Sequence, residues 1–288
     1  MARLLRSFLF VPGNNKKFID KAKTLNADII CLDLEDSVPM NDKESARQMI
    51  DDVLKARSEF ASEVYVRTNS FDSGLAQDDF KAIVQHGING IVIPKVNDAN
   101  EVFELSKWIT ELEHKQAIKV GTIEMMPSIE NAKGVVNAYK IASASPRVSA
   151  LVFGVFDFLL DMNLEYFEDG IEYSYARAKV PVDARAAGVY AIDSIWQKID
   201  DVNGLIKDAT TGMKLGYRGK SLIHPSQIEP VHKIFVPSKE EVEWAKKVVD
   251  TLSGAMSKGK GAVRLEGKMI DAVHYKRAKA LLDAVKAS

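Results

Sequence analysis

Residues 120–154 read VGTIEMMPSIENAKGVVNAYKIASASPRVSALVFG. An apolar run from Val120 to Ile129, a stretch with helical spacing from Ala132 to Ala144 and a second apolar run from Ala150 to Gly154 make one strand-helix-strand unit. A carboxylate follows each run: Glu130 after the first, and Asp157 in Phe153-Gly154-Val155-Phe156-Asp157 after the second. A barrel of parallel strands exposes those strand ends to substrate. Two such acids can hold one hard divalent cation through oxygen, leaving its other positions to water and an oxygen-rich substrate. An acid after a strand also serves as a helix cap, and spacing alone leaves both uses open.

The same alternation continues on both sides. Further strand candidates are Ser7 to Val11, Asp28 to Leu34, Val64 to Thr68, Gly90 to Pro94, Tyr190 to Asp193 and Ser221 to His224. Helical spacing is found in Lys16 to Leu25, Asp42 to Lys55, Asp78 to Gln85, Ala99 to Leu112, Glu172 to Ala187, Val202 to Leu215 and Ser226 to Ile234. About eight βα units in a row predict an α/β chain folded as a (β/α)8 barrel, since a doubly wound sheet needs fewer. Residues 1–236 are assigned to the barrel and 237–288 to an appended helical segment. In that segment Ser238 caps a helix to Met256, Ser257-Lys258-Gly259-Lys260-Gly261 forms a flexible link, and a last helix follows Ala262 to Asp271. A segment beyond a closed barrel is free to act as a lid, on its own barrel or a neighbour's.

At 288 residues the chain has core enough to fold without disulfides or structural metal. The charge, 39 basic against 40 acidic residues, gives no nucleic-acid or membrane surface. The single cysteine, Cys31, lies in an apolar run and reads as a buried small hydrophobe. The start, Met1 to Arg6, has two arginines and no long apolar region, and no run is long enough to span a bilayer. The expected address is the cytoplasm.

Several motifs fail. Gly219-Lys220-Ser221 resembles the end of a phosphate loop, but the required earlier glycine is Lys214. The five histidines lack metal-ligand spacing, and only His224 sits at a predicted strand end, beside Ile223. Arg67 ends a strand, where its planar fork suits a carboxylate or a forming enolate oxygen. The other use of Arg67 is a salt bridge to the cluster Asp33-Leu34-Glu35-Asp36, and the two uses are compatible.

Six pieces occur in an order that carries a resemblance over nearly the whole chain. They are Ser7-Phe8-Leu9-Phe10-Val11-Pro12-Gly13, Leu32-Asp33-Leu34-Glu35-Asp36-Ser37-Val38, Val66-Arg67-Thr68-Asn69, Ile129-Glu130, Gly154-Val155-Phe156-Asp157 and Gly219-Lys220-Ser221-Leu222-Ile223-His224-Pro225. The chain resembles the citrate lyase β-subunit-like family of the HpcH/HpaI superfamily, which includes malyl-CoA and citramalyl-CoA lyases. The resemblance implies Mg2+ on Glu130 and Asp157, a substrate clamp at Arg67 and a packing role for Phe10; position at the strand ends adds Glu35 and Asp36 as braces of Arg67, and Ile223 and His224 as substrate contacts. The resemblance also implies that Lys17 and Lys21 contact a coenzyme A ester. The family's late Gly-x-Met-Ile-Asp motif appears as Gly267-Lys268-Met269-Ile270-Asp271 and makes Asp271 an acid/base on a mobile segment, commonly across a subunit interface. Asn131 departs from the threonine or serine of many relatives. Glu124, six residues before Glu130 and near the strand's beginning, is read as structural.

The implied reaction is retro-Claisen cleavage of a β-hydroxyacyl-CoA into acetyl-CoA and a small 2-oxo acid, or its reverse, by a homo-oligomer, trimer or hexamer. A carrier-dependent citrate lyase subunit, a malyl-CoA thioesterase and a catalytically idle binding barrel are the alternatives.

Overall fold

The structure, a computed structural model, describes residues 3–256 and 261–287. Met1, Ala2, Ser288 and residues 257–260 of the proposed link lie outside the described residues. Eight strands run in chain order: β1 (Ser7–Pro12), β2 (Ile29–Asp33), β3 (Glu63–Arg67), β4 (Gly90–Ile93), β5 (Glu124–Ile129), β6 (Ala150–Phe153), β7 (Tyr190–Asp193) and β8 (Gly219–Leu222). Each pairs in parallel with its neighbour, and β8 returns to β1 through Ser7 opposite Lys220, so the sheet is a closed barrel. The helices between them are α1 (Lys16–Ala22), α2 (Lys43–Lys55), α3 (Ala76–Ile83), α4 (Ala99–Lys115), α5 (Ala132–Ala142), α6 (Val155–Asp161), α7 (Ser174–Ala187), α8 (Val202–Leu215) and α9 (Ile228–Ile234). Local chemistry starts several of them. Asp98, Asn131 and Asp201 each accept a main-chain N–H of the first turn of α4, α5 and α8.

Strand side chains alternate, and this phase places the site. Phe8, Cys31, Tyr65, Val92, Met126, Val152 and Ile192 fill the barrel interior. Two or four residues further along the same phase come Asp33, Arg67, Glu130 and Gly154, at the carboxyl-terminal mouth. The opposite phase faces the helices. There the buried Lys220 ammonium meets Asp193 and Asp208, so the residues that mimic a phosphate loop belong to an ion network.

The chain divides into two compact units, residues 5–233 and the residues from 234 onward joined by the start of the chain. The second unit packs α10 (Lys239–Met256) and α11 (Ala272–Ala287) with a hairpin of β9 (Ala262–Leu265) and β10 (Lys268–Asp271) around Ala245, Val248, Leu252 and Ile270. Ser238 and Glu241 cap α10 reciprocally: each side chain accepts the other's main-chain N–H, at 3.1 and 2.8 Å.

Four expectations are corrected. The appended segment is not purely helical. Its hairpin turns on Glu266 and Gly267, both at positive φ (46° and 84°), the conformation of a two-residue loop. β5 starts at Glu124 instead of Val120, because the chain turns at Gly121 (φ 87°). β8 ends at Leu222, since His224 already caps a helical turn over Pro225–Gln227. Asp157 does not follow its strand directly; it lies in the first turn of α6, whose Val155 and Phe158 continue the apolar character of β6.

Candidate active site

Register builds the first half of the mouth. Asp33 and Arg67 are direct partners across β2 and β3, so their side chains leave the sheet together. Arg67 donates from Nε to Asp33 Oδ1 (2.7 Å) and from Nη2 to Asp33 Oδ2 (2.8 Å), and its guanidinium lies 4.8 Å from the Phe10 ring centre. Burial opposes both charges, but each holds the other ionised: Asp33 stays below the ordinary aspartate value and Arg67 above that of arginine. The Nη1 corner is 3.1 Å from Glu35 Oε2 and 3.9 Å from Asp36 Oδ2. Both readings of Arg67 thus bear on one side chain. The acidic cluster meets all three nitrogens of its fork, and the residue also lines a cavity of about 470 Å³ with Phe10, Phe156, Ile223, Glu130 and Asp157.

Glu130 and Gly154 form the second half. A Cβ at residue 154 would stand 2.5 Å from Glu130 Cγ and 2.6 Å from its Oε1, so glycine is required for the carboxylate to lie where it does. Burial, reinforced by the charges of Glu35 and Asp157, pushes the Glu130 carboxyl up to about 8. Burial likewise raises Glu35, against the pull of Arg67 and Lys95. Five carboxylates, Asp33, Glu35, Asp36, Glu130 and Asp157, gather here against Arg67, Lys95 and Lys43, whose ammonium is turned to the Leu34 and Glu35 carbonyls. Among the described residues no three His, Cys, Asp or Glu side chains converge as metal ligands. Glu130 and Asp157 line one cavity and offer it hard oxygen atoms. The surplus of negative charge and the glycine hollow around Glu130 fit a hard divalent cation.

Lys95 belongs to none of the sequence motifs named above. It follows β4 with φ 56°, its main-chain N–H donates to Glu130 Oε2 (2.9 Å), and its ammonium reaches Glu35 Oε1 at 2.7 Å and Asp157 Oδ1 at 3.3 Å. Partial burial disfavours its charge, but Glu35, Asp157 and Asp36 outweigh that and hold its pKa above the ordinary lysine value. Its place after an apolar strand, like that of Arg67, was the available signal. A second cavity, about 350 Å³, runs on this side past Lys95, Asn97 and Asn131 and shares Glu130 and Asp157 with the first.

The remaining residues divide. Phe10 and Ile223 line the larger cavity. His224 is exposed and pairs through Nδ1 with Ser226 Oγ at 2.7 Å, which makes it a cap and not a lining residue of that cavity. Lys17 and Lys21 are exposed on α1. Glu124 accepts the Tyr65 hydroxyl at 2.6 Å from the first position of β5, away from the mouth. Asn131 caps α5, and Cys31 is buried in the barrel. In the second unit Asp271 Oδ1 accepts the N–H of Val273 and His274 and meets His274 Nδ1 at 2.7 Å. These bonds, the side-chain contact first, hold Asp271 below the ordinary aspartate value.

Fold and mouth together define a (β/α)8 barrel with a carboxylate pair at its catalytic end. The family described as HpcH/HpaI aldolase/citrate lyase matches residues 6–225, and the chain belongs to it. Citrate lyase subunit beta of Leuconostoc mesenteroides subsp. cremoris is 38% identical over 286 residues, covering 99% of this chain and 95% of its own. The mitochondrial citramalyl-CoA lyase of Homo sapiens is 32% identical over 286 residues, covering 95% of this chain and 83% of its own. Among solved structures, CitE of Mycobacterium tuberculosis in complex with magnesium, acetoacetate and coenzyme A matches with a TM-score of 0.82 at 26% identity, over 99% of each chain.

Proposed function

We propose that the protein is a Mg2+-dependent carbon–carbon lyase that splits a β-hydroxyacyl-CoA, such as citramalyl-CoA or malyl-CoA, into acetyl-CoA and a 2-oxo acid, or joins them in reverse. The observation that carries this reading is the Glu130 and Asp157 pair beside Arg67 in one cavity at the barrel mouth. Bound to these two carboxylates, Mg2+ supplies Lewis acidity and a template for adjacent oxygens. Glu130 is held for that task by the Lys95 main-chain N–H and the Gly154 hollow. Arg67 faces the cavity with a charge fixed by Asp33 and offsets the negative charge that develops on the thioester oxygen as the bond breaks. Phe10 and Ile223 give the cavity its apolar wall, and Lys17 and Lys21 are the lysines offered to the coenzyme A ester.

Asp271 moves the proton at the acetyl methyl carbon, from a segment that closes over a barrel mouth in a homotrimer or hexamer. Asp271→Ala is expected to leave the barrel folded and to stop exchange of the acetyl-CoA methyl protons. Exchange at the wild-type rate removes it from the mechanism. Mixed oligomers of Asp271→Ala and Glu130→Gln subunits regain activity where the segment acts across an interface. Among the described residues no helix is long and apolar enough to cross a membrane, and the cytoplasm is the compartment proposed.

The higher identity to citrate lyase subunit beta, 38% against 32% for the citramalyl-CoA lyase, favours a second reading in which the thioester sits on a carrier. One experiment separates the cases. Acetyl-CoA is incubated with Mg2+ and glyoxylate, pyruvate or oxaloacetate in turn, and the thioester product is weighed by mass spectrometry. A new CoA ester supports the lyase. Free coenzyme A without an oxo acid indicates a thioesterase, and no reaction until a carrier thioester is supplied supports the second reading.

A further inference from the structure

Lys95 is built into the mouth twice over. A left-handed backbone is the habit of glycine, yet this position carries one of the longest side chains. In this conformation the main-chain N–H donates to Glu130 while the ammonium reaches Glu35 and Asp157, with Asp36 at 3.5 Å. A glycine would make the main-chain bond without strain, so the side chain is what the strained backbone serves. The ammonium lies 3.3 Å from Asp157, an acid at the very pair that fits a divalent cation, while its shorter bond, 2.7 Å, goes to Glu35. A lysine stem with four rotatable bonds can drop the longer contact and keep the shorter one.

We propose that Lys95 is a positioning residue that contends with the divalent cation for Asp157: the cation enters as the ammonium withdraws onto Glu35 and Asp36. This rests on reading Glu130 and Asp157 as the cation's ligands. Withdrawn, the ammonium stays tied to the acid that also faces Arg67, so cation entry and the setting of the arginine share one carboxylate, Glu35.

Binding of Mn2+ alone, by calorimetry without thioester or oxo acid, tests it. Lys95→Met removes the contender and is expected to tighten Mn2+ by about tenfold or more, whereas Lys95→Arg, which keeps the charge, stays within about threefold of wild type. Lys133→Met, which removes a charge from α5 that pairs with Asp98, is expected to leave the affinity unchanged. Lys95→Gln repeats the measurement should the methionine variant misfold. Unchanged or weaker binding in a folded Lys95 variant overturns the proposal, as does equal tightening in Lys133→Met. If wild type binds no Mn2+, or Glu130→Gln binds it as wild type does, the ligand assignment itself has failed and the Lys95 proposal falls with it. Retained Glu130 dependence with an unresponsive Lys95 sinks the latter alone.

Discussion

Two of the barrel's buried arginine–aspartate pairs stand in different company. Outside the sheet, Arg177 of α7 grips Asp193 of β7 with two bonds and also meets Asp208, and the fully buried Lys220 closes the square on the same two acids. Two cations face two anions, and the charges cancel. At the mouth, Arg67 grips Asp33 with equal care, but Glu35, Asp36, Glu130 and Asp157 crowd the same space. Burial first, and then the charges of Glu35 and Asp157, push the Glu130 carboxyl up to about 8. A buried network that neutralises itself braces layers together. One that does not is organised for a charge brought from outside.

The largest expected effect breaks the mouth. Glu130→Gln and Asp157→Asn should each lower Mg2+-dependent turnover by at least about a hundredfold with circular dichroism unchanged. Turnover near wild type in either variant undoes the contrast. Breaking the balanced square should do the reverse. Lys220→Met leaves Asp193 and Asp208 with Arg177 alone and is expected to cost about 3–5 kcal/mol of unfolding free energy in urea, with Mn2+ affinity of the folded protein unchanged. A smaller loss, about ten- to a hundredfold in kcat/KM, is expected of Arg67→Lys, which keeps a charge but cannot span both Asp33 oxygens. Full activity there means a point charge suffices.

The smallest effect sharpens the comparison through pH. In the unfolded chain Glu130 loses its proton near the ordinary value of 4.5, but in the folded protein it keeps that proton until about 8. The folded state binds more protons across that window, so stability without divalent cation should fall as pH rises from about 4.5 to about 8. Thermal midpoints in chelator should show this slope, flattened in Glu130→Gln. A midpoint of the wild type that rises with pH over the window contradicts the assignment.

The barrel was legible in the sequence because eight apolar runs separated by helical spacing leave few other folds, and their place at the ends of such runs marked Arg67 and Glu130 as mouth residues. Three features were hidden for physical reasons. The seven residues of α6 bury Val155, Phe158 and Leu159, which prolong the apolar run of β6. The hairpin turns on Glu266-Gly267, and a glutamate at positive φ gives no turn signal. Lys95 depends on a left-handed backbone that side-chain patterning does not reveal. Arg67 shows the limit from the other side: its position was readable, but the bidentate hold of Asp33 needed the register of β2 on β3.

The contact between Gly154 and Glu130 reaches into the heredity of the chain. The smallest side chain added at residue 154 lands 2.5 Å from Cγ and 2.6 Å from Oε1 of residue 130, so the space reopens only when residue 130 loses its atoms beyond Cβ. Although twenty-four residues apart, the two positions therefore constrain each other's variation. A lineage that abandons glycine at one must first, or at once, have abandoned glutamate at the other, so the hollow restricts the order in which this barrel mouth can evolve.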